Sequence, residues 1–462
     1  MKKLLILSLL LLPLLSSCAG SEPNNTAYVT ALGIDKGEGS NFNFTIQFAK
    51  PSAISGGSSE EGGKDGSKTV ENIFIEAPSI YSALNIANSV ISKEFSLAHM
   101  RIAVFSADIA KEGMGDIMQT FAKSNDIRPD LLLAVSRSKA GEYLENIKPM
   151  VELNPIKYYQ LIYEKNNFGT IPNIDALDVY FALDSGQRDP VLPLAGVMKA
   201  GTNSDKGGGE KDSGSENNGE ESEPAAKMSN IMNEPTANLS SSQNNENNQN
   251  NAQAKLNQEN KLNTNPNGFQ YRIKNYQAGD AAVTETDKSE ALGMAVFSDG
   301  KLSGMLGETQ AELYNILNGS YSGGFVTFTA EQGSSSPVTV HLKQFRRPSY
   351  KIDSDARVAK IKLNLECDIY SFGENDTVDS QTAKFEEHCS RVIERECENF
   401  LYMLRDEYGA DVLGLGEKAK KCFSTIDAYN AYDWHSEFIN YRIEVEAKLK
   451  TRHSGLTVRE NG

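Results

Sequence analysis

The clearest chemical signal in the sequence is a thiol. Cys18 follows Leu15, Ser16 and Ser17, at the end of an apolar run from Leu4 to Leu15 that Lys2 and Lys3 precede. A cysteine sulfur directly after small residues is a nucleophile open to acylation. The small Ser17 suits a peptidase that cuts between Ser17 and Cys18. The other cysteines are Cys367, Cys389, Cys397 and Cys422, and none forms a CxxC pair, so a zinc-type spacing is missing. Cys389 and Cys397 stand eight apart in a helical pattern, on one face with apolar residues, and are predicted to be core cysteines. One disulfide among the four also fits an exported chain. His388, His435 and His453 show no ligand spacing to one another, and neither HExxH nor GxSxG occurs. No catalytic, metal or cofactor site is therefore assigned.

Three smaller patterns read as structural. Asp35 in Gly33-Ile34-Asp35 ends a strand without a glycine-rich nest after it, which suits a turn. Gly414-x-Gly416 follows a helix and lacks the third glycine of a dinucleotide fingerprint, so it too reads as a turn. Trp434, the single tryptophan, reads as a closing core residue, and His99 beside Arg101 reads as structural at a strand start.

The leader has a short positive start, a dozen apolar residues and Cys18, and it resembles a lipobox, whose cysteine is diacylated before cleavage at Ser17–Cys18. A spanning helix needs about 20 apolar residues, more than this run offers. Two acyl chains suffice for stable anchoring, because each buried methylene contributes roughly 0.8 kcal/mol. The net charge is −16 over 462 residues, and loss of Lys2 and Lys3 makes the chain more acidic still. Such a balance argues against nucleic acid and against adhesion to anionic lipid, so attachment is expected to come from the lipid on Cys18.

Hydropathy patterning divides the rest. Residues 1–17 are the leader, 18–26 a lipid-anchored tether, 27–198 an N-terminal domain, 199–281 a low-complexity disordered linker, and 282–458 a C-terminal domain. In the first domain, strands at Ala27–Ile34, Phe42–Ala49, Val70–Glu76, Arg101–Phe105 and Leu131–Val135 alternate with helices. Those helices start at Ser79 and span Ile109–Lys123 and Ala140–Ile147. That alternation implies α/β layers. From Gly201 to Gly268 Asn, Ser, Gly, Glu and Gln dominate, too polar to offset ordering entropy. Either a tether between separate domains or a loop inserted between packed halves fits this tract. The second domain opens with a hairpin around Asp299-Gly300 and a helix from Glu308 to Leu317. It continues with strands at Phe325–Ala330, Val338–Phe345 and Val358–Ile369, a long helix over Gln381–Tyr408, and a strand at Tyr441–Arg452. The fold class is thus mixed α/β and α+β, multi-domain, with N-terminal α/β layers and a C-terminal antiparallel sheet with a long helix.

Several ordered segments resemble the Ger(x)C family, the C-subunit lipoproteins of bacterial spore nutrient-germinant receptors. Ala31-Leu32-Gly33-Ile34-Asp35 with the Phe42–Lys50 strand and Pro51 is similar to the family's opening. Leu97 to Phe105, Ile109 to Met114, and Asn125-Asp126-Ile127-Arg128-Pro129 are similar to its next strand, helix and turn. In the second half, Gly293 to Phe297 with Lys301 to Leu306 resembles the family's hairpin. Asp411 to Glu417, Trp434, Phe438, the closing strand and Gly455 resemble its ending. The tract at 201–268 and the Ser55–Ser67 loop are longer than the family pattern, and Met305 stands where the family has Trp.

The resemblance implies a non-enzymatic, cofactor-free subunit lipid-anchored on the outer face of the cytoplasmic membrane, the spore inner membrane. It would assemble with two polytopic receptor subunits, of A and B type, to trigger germination in response to nutrients. Two other classes fit part of the sequence. A solute-binding lipoprotein of a transporter would explain the lipid and the two halves, and an exported hydrolase would use the plentiful carboxylates.

Overall fold

A computed structural model describes residues 25–49, 70–147, 154–164, 169–198, 275–280, 289–329, 337–371 and 382–453. Ser17, Cys18, the leader, the Ser55–Ser67 loop and the 201–268 tract lie outside the described residues.

Two sheets carry the fold. The first has strands β1 (Thr26–Lys36), β2 (Phe42–Ala49), β3 (Val70–Ala77), β4 (Glu94–Ser96), β5 (Ile102–Ser106), β6 (Leu132–Ser136), β7 (Val191–Val197), β8 (Ser289–Ser298) and β9 (Lys301–Leu306). Their order is β3-β2-β1-β5-β6-β7-β8-β9, with β4 beside β1. β1, β5, β6 and β7 run parallel, flanked by antiparallel pairs on both sides. The parallel core explains the unbroken apolar runs of β5 and β6, which are buried at every position. The second sheet joins β10 (Gly324–Thr329), β11 (Pro337–Asp353), β12 (Val358–Ser371) and β13 (Arg442–His453) in sequence order.

The helices follow from local chemistry. In α1 (Ile80–Val90) Ile80, Ala83, Leu84 and Ala87 face inward, and the Ser79 hydroxyl accepts the N–H of Ser82. The helix expected over 109–123 is two: α2 (Ala107–Glu112) and α3 (Gly115–Lys123). Gly113, at φ 119°, breaks it, a conformation closed to other residues. α4 (Ala140–Asn146), α5 (Pro155–Tyr159, continuing into a π-helical turn at Gln160–Glu164) and α6 (Ala176–Ser185) complete the first half. α7 (Glu308–Asn318) follows the hairpin, whose turn at Asp299 and Gly300 has φ of 50° and 72°, as a primed turn requires. α8 (Thr382–Asp406) is the longest helix, and α9 (Leu415–Ala419), α10 (Ile426–Asn430) and α11 (Trp434–Phe438) are short.

The mixed fold class holds, with two differences. The second sheet is not wholly antiparallel, because β12 and β13 run parallel. α8 is their crossover, and parallel neighbours need one. The hairpin β8–β9, expected to open the second half, instead extends the first sheet by pairing with β7. Residues 275–280, inside the expected linker, are packed. Ala278 is buried, its N–H donates to Leu292 O at 2.9 Å, and Arg137 donates to Ala278 O at 2.7 Å and to Asp280 Oδ1 at 2.9 Å. The halves pack directly, since one apolar cluster runs from Ala27 and Leu32 through Val296 and Ile316 to Ile361, Leu401 and Leu449.

Candidate functional site

The family-like residues converge where the halves meet. Asp189, just ahead of β7, and Asp411, just after α8, are both buried. The Asp189 N–H donates to Asp411 O at 3.0 Å, and the Asp411 N–H donates to Asp189 Oδ2 at 2.8 Å. Asp189 Oδ1 also accepts the Asp299 N–H of the β8–β9 turn at 3.1 Å. Three segments distant in sequence are thereby fixed to one another.

Asp411 then organises the ending. Its carboxylate accepts Leu415 N–H at 2.9 Å, Gly416 N–H at 2.8 Å and Trp434 Nε1–H at 2.9 Å. The first two are orphan backbone donors at the start of α9, which a carboxylate satisfies with help from the helix dipole, and the third ties the Trp434 ring of α11 to the same carboxylate. Gly416 has to lack a side chain, because a Cβ there would lie 2.6 Å from the Trp434 ring. Trp434 packs on Phe438 and Tyr441, with ring centroids 5.6 and 4.8 Å away. Burial raises the Asp411 carboxyl to about 6, only partly offset by the N–H groups of Gly416 and Leu415. Burial likewise raises Asp189. His435 Nε2 lies 2.8 Å from Gly186 O, joining α11 to the end of α6.

Asp35 repeats the device near the end of β1. Its carboxylate accepts the N–H groups of Ala140 and Gly141 at 2.7 and 2.9 Å, so it caps α4 rather than its own turn. The expected turn role is thus replaced by a long-range one, and burial raises this carboxyl also.

The histidines stay apart. His99 meets Tyr28 edge-on at 4.7 Å, His388 Nε2 lies 3.0 Å from Thr329 Oγ1, and His453 pairs with Asp368 at 2.8 Å. Arg101 is buried and paired with Asp130 at 3.0 Å and with Glu164. Arg128 and Arg101 hold Asp130 down at about 2. All four described cysteines are unpaired: Cys367, Cys389 and Cys397 are buried, and Cys422 is exposed. Burial pushes the Cys367 thiol up to about 11, which suits the core role. Among the described residues no group of three or more His, Cys, Asp or Glu could hold a metal ion, and no helix is long and apolar enough to cross a membrane. Every carboxylate oxygen of the joint accepts at least one N–H group, so the arrangement fixes one half against the other.

The sequence resemblance had singled out Asp35, Asp411, Gly416 and Trp434, but not Asp189, which carries no local signal. Comparison with known proteins covers the segments that carry these residues. Residues 20–197 match the spore germination protein N-terminal domain, and residues 292–455 match the spore germination B3/GerAC-like C-terminal domain. The spore germination protein KC of Bacillus subtilis (strain 168) is 26% identical over 203 residues, which are 43% of this chain and 48% of that protein. A second protein of that organism named for spore germination, YfkR, is 27% identical over 140 residues, 30% of this chain and 36% of YfkR. The aligned stretches thus span half or less of these relatives. The crystal structure of the GerBC protein is similar at a TM-score of 0.46 and 12% identity, over 91% of this chain and 96% of that one. With both domains matched, in order, over most of its length, this chain belongs to the Ger(x)C family of spore germination proteins.

Proposed function

We propose that this chain is the lipid-anchored, non-enzymatic subunit of a spore germinant receptor. In this reading diacylated Cys18 holds it to the outer face of the spore inner membrane. There it assembles with two polytopic subunits, of A and B type, and helps trigger germination in response to nutrients. The observation that carries the reading is the ordered match of both family domains, at 20–197 and 292–455. The Leu15-Ser16-Ser17-Cys18 segment supports the anchor. A joint built from buried, hydrogen-bonded carboxylates supports a role in holding or transmitting a conformation.

The test uses the native organism and the full chain with an epitope tag after Gly462. Dormant-spore inner membrane is solubilised in detergent and the tagged protein captured. Recovery from spores together with two polytopic membrane proteins is expected. Recovery from growing cells with transporter subunits would overturn the reading in favour of a solute-binding lipoprotein.

A further inference from the structure

A basic pocket lies beside the joint, outside the contacts that hold it. Tyr350, Lys351 and Ile352 near the end of β11 and Lys418, Lys421 and Cys422, just after Glu417, line a half-open cavity of ≈ 420 Å³. Three lysines and no Asp or Glu are among its lining residues, in a chain whose net charge is −16. Among the described residues no carboxylate lies within ion-pair distance of any of the three lysines.

The walls are held in place. Lys418 Nζ donates to Leu413 O and, at 3.4 Å, to Gly414 O, and stands 4.5 Å from the centroid of the Tyr350 ring. Two of its three donors are used, and one remains for an occupant. The Tyr350 hydroxyl is bonded to Leu317 O, and the Cys422 thiol donates to Ile352 O at 3.3 Å. Desolvation lowers the Lys418 ammonium more than the nearby Asp411 and Glu417 carboxylates raise it, so an anion beside it would relieve a cost they leave in part.

We infer that this pocket binds a phosphate-bearing anion through Lys351, Lys418 and Lys421. Lysine supplies compact point charges rather than the planar fork that suits a single carboxylate. Three of them around one cavity match an anion whose charge is spread over several oxygens. The phosphate could belong to a free small molecule or to an anionic lipid headgroup at the membrane surface.

Cys422 provides the readout, because it lines the pocket and is exposed while Cys367, Cys389 and Cys397 are buried. The full chain is reconstituted in phosphatidylcholine vesicles, and the rate of maleimide attachment to Cys422 is followed by peptide mass mapping. Inorganic phosphate is added against chloride at matched ionic strength. In a second arm phosphatidylglycerol replaces part of the phosphatidylcholine. Slowing by inorganic phosphate identifies a free phosphate compound, and slowing by phosphatidylglycerol alone identifies a headgroup. In either case Lys351→Gln and Lys421→Gln should each weaken the effect about fivefold, as loss of an exposed charge contact does. No slowing in either arm, or slowing that both variants leave unchanged, overturns the inference.

Discussion

Glu394 accepts the backbone N–H of Ala447 at 2.9 Å, a side chain of α8 closing a hydrogen bond that a neighbouring strand would otherwise make. It is one rung of a ladder. Glu386 accepts Thr451 N–H, Ser390 accepts Leu449 N–H, Glu398 accepts Val445 N–H and Tyr402 accepts Ile443 N–H, at 2.8 to 3.1 Å. The acceptors recur every four residues of helix, a rise of about 6.0 Å, and the donors every second residue of strand, about 6.6 Å. The two repeats stay in step for five rungs. β13 is an edge strand, and an open row of N–H groups invites pairing with another chain. The ladder removes that template.

Removing a rung leaves a half-buried N–H without its acceptor. Glu394→Ala should destabilise the protein by about 1–3 kcal/mol, and Glu394→Gln, which keeps an oxygen, by less. Urea unfolding of the full chain checks this. Equal midpoints for wild type and Glu394→Ala would show that water replaces the carboxylate without cost.

Trp434 reports on the joint alone, because it is the chain's single tryptophan. Gly416→Ala would push a methyl group into its ring, which packing resists at about 1–3 kcal/mol. A lower thermal midpoint and red-shifted tryptophan emission are expected together. A midpoint that falls while emission stays unchanged would mean the strain is absorbed in α9.

How much of this was legible follows from range. The apolar stripe of α8, with Phe385, Cys389, Val392, Cys397 and Leu404, shows in a window of a few turns, and those residues are buried. The ladder residues beside it look like an ordinary solvated face, since their partners lie 41 to 65 positions away. The alternation of β13 reads the same whether its neighbour runs parallel or antiparallel. The long helix between β12 and β13 was the sign of a crossover. Asp411 and Trp434 stood out as a resemblance, yet their use depends on Asp189, 222 residues earlier.

Protonation should act on the joint in a defined direction. The Asp411 carboxyl is raised from 3.8 to about 6 in the folded protein. The folded form therefore binds this proton more tightly than the unfolded chain does. The stability from it is fully present below about pH 4 and lost as the pH rises through about 6, by up to about 1.4 kcal/mol per pH unit. Asp130, held at about 2 by Arg128 and Arg101, has the opposite sign, and its contribution is lost only as the pH falls from about 4 toward 2. Stability measured from pH 4 to 7 for wild type and Asp411→Asn isolates the first effect. The difference between the two curves should slope across this window, and parallel curves would reassign the titrating group.

Cys18 carries the proposed attachment by itself. The chain carries a net charge of −16, so its overall charge opposes adhesion to anionic headgroups, whatever one local pocket binds. No described helix crosses the membrane to compensate. Two acyl chains, at roughly 0.8 kcal/mol per buried methylene, would dominate the partition. Cys18→Ala should therefore abolish the lipid mass shift and move the protein from the detergent phase to the aqueous phase on Triton X-114 separation. Membrane recovery should drop most in spores lacking the polytopic partners. Retention that persists only when those partners are present would show that the assembly, and not the lipid, supplies the stronger hold. Retention in their absence as well would remove Cys18 as the anchor.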